Sequence, residues 1–305
     1  MQPSTIPSIG NAAGTCNSER QFNLLLKSAV NTITIGPMAV LPRDPNPGNN
    51  AYRDRSGRTI NSMGLPGIGI EESKKIIPAM IAAAAEHGKV LSLTIPPIDE
   101  MDDEKLANAG VALGVEIIEF NAGCANVWVN GKQKRILSFN PRALERSVSK
   151  ILSIVQGSKV REVRVKLSPY SDPVLLAEVA DALEDKEVTI VTCNTFANAW
   201  MFREEDNRPA IEFGKHLGGY GGVGMKPIAL GQVAQFLEHL PNHHIIGVGG
   251  IQSGRDLWEF ASLGVDEAQI GSAWYFSENA RIFGGVIAEY LDIIEEHPLW
   301  TPATT

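Results

Sequence analysis

The chain has 305 residues, 44% of them hydrophobic and 20% charged, a composition typical of a globular protein with room for one barrel or two smaller domains. Its 27 basic and 35 acidic side chains give a formal net charge of -8, which argues against nucleic acid or an anionic membrane surface as a partner. The three cysteines, Cys16, Cys124 and Cys193, show no metal-ligand spacing, so neither a disulfide framework nor a metal site is predicted.

The sequence shows no secretory signal and no membrane-spanning segment. No basic side chain precedes Arg20, and the residues before it contain no apolar core, unlike a signal peptide. The longest apolar run, residues 76–85, has ten residues and contains Pro78, so it is too short to cross a bilayer. We therefore predict a cytoplasmic protein.

Predicted strands and helices alternate along the whole chain. The strands are predicted at residues 8–13, 31–35, 90–95, 116–121, 163–166, 188–193 and 244–247, with an eighth that ends at Gly271. The helices are predicted at residues 19–28, 71–86, 102–113, 141–155, 173–183 and 279–296, with one more ending near Leu240 and one capped by Ser253. Eight such units predict an α/β fold, a (β/α)8 TIM barrel that forms a single domain over residues 1–305.

Three polar segments are longer than the usual connection between a strand and a helix. They lie at about residues 42–60, 122–140 and 196–224. Loops of this length in a compact domain are commonly functional. We therefore expect them to contribute to a site at the carboxyl ends of the strands, where barrels place their chemistry.

The last two predicted strands both end in glycine. Gly249 and Gly250 precede the Ser253-capped helix, and Gly271 and Ser272 follow the eighth strand. Backbone N–H groups without a neighbouring Cβ can approach a phosphate closely, and a helix N-terminus favours the anion. The sequence thus predicts a phosphate grip, with tight βα turns as the alternative explanation of the glycines.

The other strand ends carry amides, one lysine and one thiol. Amides hold a flat ring that has both C=O and N–H groups, because each amide offers one acceptor and two donors. The six histidines have no ligand spacing with carboxylates, and no carboxylate pair is found, which disfavours a metal hydrolase or a glycoside hydrolase. The strand-end residues are Asn11, Gly14, Asn121, Cys124, Lys166, Asn194 and Thr195.

Two of these side chains suggest specific roles. Alternation along Val163-Arg164-Val165-Lys166-Leu167 turns Lys166 into the barrel, where it can hold positive charge beside an anionic ring; a salt bridge is the alternative. Cys124 follows a strand and opens a loop, so it can act as a general base if partly exposed, or simply pack as a small apolar residue. The asparagines, likewise, can be turn caps.

Taken together, these stretches resemble the dihydroorotate dehydrogenases, specifically the soluble class with a cysteine base. The resemblance covers nearly the whole chain. It is carried by Asn11-Ala12-Ala13-Gly14, Asn61-Ser62-Met63-Gly64-Leu65-Pro66, the loop at Asn121, Cys124 and Asn126, Val165-Lys166-Leu167-Ser168-Pro169-Tyr170, Cys193-Asn194-Thr195, Gly218-Gly219-Tyr220-Gly221-Gly222, Lys226-Pro227, Gly247-Val248-Gly249-Gly250-Ile251 and Gln269-Ile270-Gly271-Ser272.

The resemblance implies an FMN enzyme that oxidises dihydroorotate to orotate in pyrimidine biosynthesis, with fumarate as acceptor and a homodimeric assembly. Cys124 is then the base that removes the C5 proton while the C6 hydride passes to the flavin. The implied substrate-binding residues are Asn61, Met63, Gly64, Leu65, Asn121, Asn126, Asn194 and Thr195. The implied FMN-binding residues are Ala13, Gly14, Asn121, Lys166, Gly222, Gly249, Gly250, Gly271 and Ser272.

The chain departs from the family pattern at two places. The family carries a lysine just past strand two, where this chain reads Ile35-Gly36-Pro37-Met38. The cysteine loop of the family usually reads Asn-Leu-Ser-Cys-Pro-Asn, whereas this chain reads Asn121-Ala122-Gly123-Cys124-Ala125-Asn126. Arginines from the first long loop are candidates to replace the lysine: Arg43, Arg53, Arg55 and Arg58. Two alternatives therefore stay open, namely a flavin-dependent paralogue acting on another cyclic amide or enone, and a non-catalytic barrel that binds flavin.

Overall fold

A computed structural model describes residues 6–98 and 101–300 of the chain. Eight parallel strands form a closed barrel in the order β1-β14-β13-β10-β9-β6-β5-β2. The strands are β1 Ser8–Asn11, β2 Thr32–Ile35, β3 Ala51–Arg53, β4 Arg58–Asn61, β5 Val90–Ile95, β6 Ile117–Asn121, β7 Trp128–Val129, β8 Lys132–Gln133, β9 Glu162–Lys166, β10 Thr189–Thr192, β11 Phe196–Ala199, β12 Gly218–Gly222, β13 Ile245–Val248 and β14 Glu267–Ile270. The predicted (β/α)8 barrel is confirmed, and each predicted barrel strand agrees with an observed one to within about two residues.

Helices follow the barrel strands and surround them. They are α1 Glu19–Leu26, α2 Ile70–Glu86, α3 Asp102–Leu113, α4 Pro141–Val155, α5 Pro173–Asp181, α6 Lys226–His239, α7 Gly254–Ser262, α8 Ser272–Ser277 and α9 Arg281–Glu296. The predicted starts agree because local chemistry sets them: proline occupies the first turn of α4 and α5, and Ser253 forms a capping box with Asp256 at α7. The short α8 was not predicted from the sequence.

The long polar segments contain short strands that the sequence analysis does not predict. Strands β3, β4, β11 and β12 form a separate antiparallel sheet in the order β11-β12-β4-β3, in which Gly219 pairs with Asn61 and Gly222 with Arg58. A hairpin of β7 and β8 lies in the segment after β6. Glycine-rich and polar stretches lack the alternation that signals a strand. The pairing that joins the two halves of the sheet, β4 with β12, also connects residues more than 150 positions apart, such as Asn61 and Gly219, so the local pattern gives no sign of it.

The outer face of the barrel is apolar and packs against the helices. Ile33, Leu93, Phe120 and Ile190 are fully buried in one cluster with helix residues such as Phe236. The alternate positions face the barrel interior. Among the described residues, no helix has the length and apolar composition to cross a membrane.

The barrel interior is charged, whereas most barrels of this type are filled by branched apolar side chains. Arg164 on β9 donates to Glu267 on β14 at 2.6 Å and to its neighbour Glu162 at 2.9 Å. One layer nearer the carboxyl ends of the strands, Lys166 is 96% shielded from solvent, and its Nζ lies 3.9 Å from a carboxylate oxygen of Glu119. Ion pairs therefore occupy one part of the interior, and the apolar side chains of Val191, Ile246 and Val248 form a separate buried cluster.

The close packing of α7 on α9 gives a stability prediction. A Cβ at Gly254, the first residue of α7, would overlap the backbone of Glu289 and Tyr290, so Gly254→Ala should lower the free energy of unfolding by about 1–3 kcal/mol or more, as overpacking does. The control is Gly231→Ala in α6, where a Cβ meets nothing within 4 Å; it should stabilise by about 0.5–1 kcal/mol. Urea unfolding measures both, and equal effects would contradict the packing.

Candidate active site

A cavity opens at the carboxyl ends of the barrel strands, and it brings together residues from nearly every part of the chain. Its wall contains all of the predicted site residues: Ala13, Gly14, Asn61, Met63, Gly64, Leu65, Asn121, Cys124, Asn126, Lys166, Asn194, Thr195, Gly222, Gly249, Gly250, Gly271 and Ser272. The antiparallel sheet supplies one side of this wall through β4 and β12. Asn11, by contrast, does not line the cavity: its amide bonds to both the N–H and C=O of Thr34, so its role is to join β1 to β2.

One end of the cavity is formed mainly by glycine backbone. Gly222, Gly249 and Gly250 have φ values of 75°, 137° and 80°, which are unfavourable for residues with a side chain. A Cβ at Gly250 would come within 2.8 Å of the Lys226 side chain. This glycine cradle lies at the end of the cavity where the sequence analysis predicts a phosphate grip, and its close approach to Lys226 also fits the alternative of tight βα turns.

Side-chain hydroxyls complete this end. The Oγ atom of Ser272 lies 3.0 Å from the Thr59 Oγ1 atom on β4. Thr59 was missed from the sequence, because its place on the cavity wall depends on the unpredicted pairing of β4 with β12. Arg53 was proposed only as a replacement for the missing lysine, yet it also lines the cavity, next to Gly57. Backbone amides, hydroxyls and one cation are the donors that a phosphate monoester requires.

The floor of the cavity is formed by amides and a buried cation. The Asn194 Nδ2 atom donates to Asn121 Oδ1 at 2.9 Å, so the two side chains fix each other's orientation. Lys166 lies beside them; burial lowers its pKa, while the charges of Glu119 and of the Cys193 and Cys124 thiols act in the opposite direction. A lysine held in this way presents positive charge to a ring placed on the floor.

The thiol of Cys124 faces the same cavity and is partly exposed to it. Burial raises its pKa to about 11, opposed by a hydrogen bond from the Asn126 backbone and by the positive charges of Arg43 and Lys166. Near neutral pH the group is therefore mostly a thiol. The thiolate fraction, and with it any rate of proton removal by Cys124, should rise about tenfold per pH unit below that pKa.

The cysteine loop is attached to the Asn61–Leu65 stretch by hydrogen bonds. The Asn126 amide donates to the backbone oxygen of Asn61 at 2.8 Å, and Asn46 bonds to the backbone oxygens of both Ser62 and Asn126. Arg43 donates to Gly64 at 2.7 Å and to Trp128 at 3.0 Å. These contacts make the two segments one wall above the floor.

The position of the missing family lysine has a backbone that excludes a side chain. Gly36 has a φ of 96°, and a Cβ there would lie 2.9 Å from the Met38 nitrogen and 3.0 Å from the Thr94 oxygen. Its neighbour Pro37 does line the cavity. A lysine side chain at position 36 would therefore require the neighbouring backbone to move.

The four candidate arginines differ in position. Arg55 and Arg58 pair with Glu204 and Asp54 and are not part of the cavity wall. Arg43 is used by the backbone contacts described above, and its charge still acts on Cys124. Arg53 lines the cavity at the end where Gly57, Gly222 and Val223 meet.

Three further residues of the cavity wall were not predicted from the sequence. Cys193 is buried at the end of β10, and burial raises its pKa to about 12. Its position one residue before Asn194 was the available signal. Tyr275 and Phe276 come from α8, and they were missed because α8 was not predicted.

The closed barrel, and a cavity that joins a glycine cradle to amides, a lysine and a thiol, define the class of protein: a (β/α)8 oxidoreductase. The model of the dihydroorotate dehydrogenase family matches residues 5–293 of the chain. The chain therefore belongs to the dihydroorotate dehydrogenase family, whose members act on a CH–CH bond.

Individual relatives agree with this assignment. A protein of Streptococcus pyogenes serotype M5 (strain Manfredo), assigned as dihydroorotate dehydrogenase A (fumarate), is 30% identical over 292 residues, which cover 94% of this chain and 89% of the relative. A Streptococcus agalactiae serotype Ia protein with the same assignment is 29% identical over 291 residues, with the same coverage.

Solved structures show the same fold. The dihydroorotate dehydrogenase of Eimeria tenella in complex with ferulenol superimposes with a TM-score of 0.78 at 17% identity, covering 96% of this chain and 82% of that one. Its ligand-free form gives a TM-score of 0.76 at 17% identity, covering 96% and 86%.

The strain at Gly36 can be measured against a second glycine. Gly88 also has positive φ, at 66°, but a Cβ there meets nothing within 4 Å. Gly88→Ala should therefore lower the free energy of unfolding by only about 1–2 kcal/mol, the penalty for placing an alanine in the left-handed conformation. Gly36→Ala should cost at least about 1 kcal/mol more, because Met38 and Thr94 must move. Urea unfolding of both variants tests this, and a smaller effect at Gly36 would show that the chain there can relax.

Proposed function

We propose that the protein is an FMN-dependent dihydroorotate dehydrogenase with Cys124 as the catalytic base, acting in pyrimidine biosynthesis. The observation that carries the proposal is that one cavity contains the thiol, the floor amides, Lys166 and the glycine cradle. The family assignment supports the substrate, and the streptococcal relatives support fumarate as acceptor.

The residues present fit a flavin mononucleotide. Gly249, Gly250, Gly271 and Ser272 supply the phosphate end, and Lys166 provides a cation on the floor. The bound flavin would accept the hydride from C6 of the substrate. The protein itself must then hold the substrate ring, exclude water and remove the C5 proton.

The side chains of the wall divide these tasks. Cys124 takes the C5 proton from the substrate as its thiolate, and its charge is stabilised by Arg43 and Lys166. Asn121 and Asn194 are preset by their mutual hydrogen bond, and together with Asn61 and Asn126 they bind the amide edges of the pyrimidine. Thr195 adds a hydroxyl at the same edge, while Met63, Gly64 and Leu65 cover the ring.

The role of Cys124 is tested by Cys124→Ser. A serine hydroxyl is a much weaker base at neutral pH, so the reduction of bound flavin by dihydroorotate should slow by about 10²–10⁴-fold, while the flavin content of the purified protein stays the same. Anaerobic stopped-flow absorbance measures the rate. Cys16→Ala, which changes a buried thiol outside the cavity wall, should reduce flavin at the wild-type rate.

Three results would count against the proposal. Flavin reduction at an unchanged rate in Cys124→Ser would show that the thiol is not the base. Protein that binds flavin but is not reduced by dihydroorotate would favour the paralogue acting on another cyclic amide or enone, as the absence of a lysine at Gly36 suggests. Protein that takes up no flavin after reconstitution would remove the proposal altogether.

We also propose that the protein is a homodimer, as the family resemblance implies. Strand β11 is an edge of the antiparallel sheet, and large aromatic side chains are exposed on and just beyond it: Trp200 is 45% and Phe202 59% exposed. Their rings lie 6.1 Å apart. Exposed aromatic clusters of this kind are typical of protein interfaces.

The dimer prediction has a direct test. The double substitution Trp200→Ser and Phe202→Ser should convert the dimer into a monomer in sedimentation velocity experiments, because it removes two adjacent apolar anchors. Trp300→Ser changes an aromatic side chain that is 55% exposed elsewhere on the surface and should leave the dimer intact. A wild-type monomer at micromolar concentration would refute the proposal.

A further inference from the structure

Glu119 is buried inside the barrel without lining the cavity. It lies on β6, its side chain is fully shielded, and one of its carboxylate oxygens, Oε1, has no hydrogen-bond partner in the described part of the chain. Burying a charged carboxylate lowers the stability of the fold unless an opposite charge lies close to it. Its surroundings therefore show what it compensates.

Glu119, Gln269 and Lys166 form a closed triangle. The Gln269 Nε2 atom donates to Glu119 Oε2 at 2.7 Å, and Gln269 Oε1 accepts from Lys166 Nζ at 3.4 Å. The third side is the 3.9 Å separation between Lys166 Nζ and Glu119 Oε1. The neutral amide thus fixes the separation of the two charges, and Lys166 alone of the three extends into the cavity wall.

The groups that face Lys166 from other elements come from three strands or the loops after them. Asn121 and Cys124 come from β6 and its loop, Cys193 from β10, and Gln269 from β14; all are neutral near pH 7. The remaining neighbour on its own strand, Arg164, is a cation engaged by Glu162 and Glu267. Glu119 is the one carboxylate within 4 Å of Lys166 among the described residues.

The barrel wall beside Glu119 is suited to a charged carboxylate. Thr94 on β5 pairs in register with Glu119, so both side chains point into the barrel. The hydroxyls of Thr94, Ser92 and Thr34 are buried and have no hydrogen-bond partner in residues 6–98 and 101–300. Hydroxyl groups rotate freely and can donate to a carboxylate through a bridging water.

We propose that Glu119 is a positioning residue for the reaction: through Lys166 it keeps a protonated cation fixed at the cavity floor, where the flavin would bind. The part of this inference that concerns the flavin rests on the proposed function. The pairing of Glu119 with Lys166 does not depend on it. Without Glu119, burial would favour the neutral amine. A neutral lysine would no longer stabilise negative charge on the reduced cofactor.

The experiment compares Glu119→Gln with Glu162→Gln in the full-length protein. Both variants replace a carboxylate by an amide of the same shape, but Glu162 pairs with Arg164 at the other end of β9. Lysine side chains labelled with ¹³C report the titration of Lys166, whose signal is assigned by its loss in Lys166→Arg. We expect the Lys166 signal to lose its proton at lower pH in Glu119→Gln and to be unchanged in Glu162→Gln.

A second readout uses the flavin-loaded protein. In Glu119→Gln, but not in Glu162→Gln, the loss of the cation should lower the equilibrium constant for flavin reduction about tenfold. This corresponds to a fall of ~30 mV in the two-electron midpoint potential. The pH profile of kcat should lose activity at high pH earlier than in the wild type. A purely structural role would lower stability without moving the potential.

The outcomes separate this inference from the proposed function. An unchanged Lys166 titration in Glu119→Gln would overturn the inference even if the enzyme turns over dihydroorotate. If Glu119→Gln does not fold, the wild-type titration decides: a protonated Lys166 at pH 7 supports the pairing, and a neutral one overturns it. If the protein binds no flavin, the proposed function fails, while the titration still tests the pairing.

Discussion

The buried charges inside the barrel constrain the strand register, and with it the position of the residues at the cavity floor. Each ion that leaves water for a protein interior costs several kcal/mol, which only a close and well-oriented partner offsets. Arg164 meets Glu267 at 2.6 Å, and the ladder between β6 and β9 sets Glu119 beside Arg164 and Asn121 beside Lys166. The strand register that pairs the charges therefore also fixes the floor of the cavity.

The wall above the floor is held by a different kind of interaction. Its two segments meet through neutral hydrogen bonds from Asn126 and Asn46 and through the guanidinium of Arg43 to backbone oxygens. The neutral bonds contribute about 1 kcal/mol each and those of the Arg43 guanidinium about 1.5–3 kcal/mol, whereas removing one partner of a buried ion pair costs about 3–5 kcal/mol. The floor of the cavity is therefore held by stronger interactions than its wall.

The barrel and its helices were predictable because each element carries a local signal. Apolar runs of strand length, prolines in first turns and the Ser253 cap all act within a few residues of sequence. The antiparallel sheet was not predictable, since Asn61 and Gly219 recognise each other only in the folded chain. The same reason explains why Cys124 and Lys166, which follow strands with a local signal, were identified from the sequence, whereas Thr59 on β4 was not.

The absence of the family lysine is best understood from the backbone around it. At Gly36 the chain turns with positive φ, and the space that a Cβ would take is filled by Met38 and Thr94. A lysine lost by simple substitution would leave that space empty. Here the surrounding chain fills that space, and the cations whose charge acts on Cys124 are Lys166 at the floor and Arg43. A hydrogen bond from a cation to an anionic substrate is stronger than one between neutral groups. We therefore expect the positions of Lys166 and Arg43 to determine which ring substrates bind best.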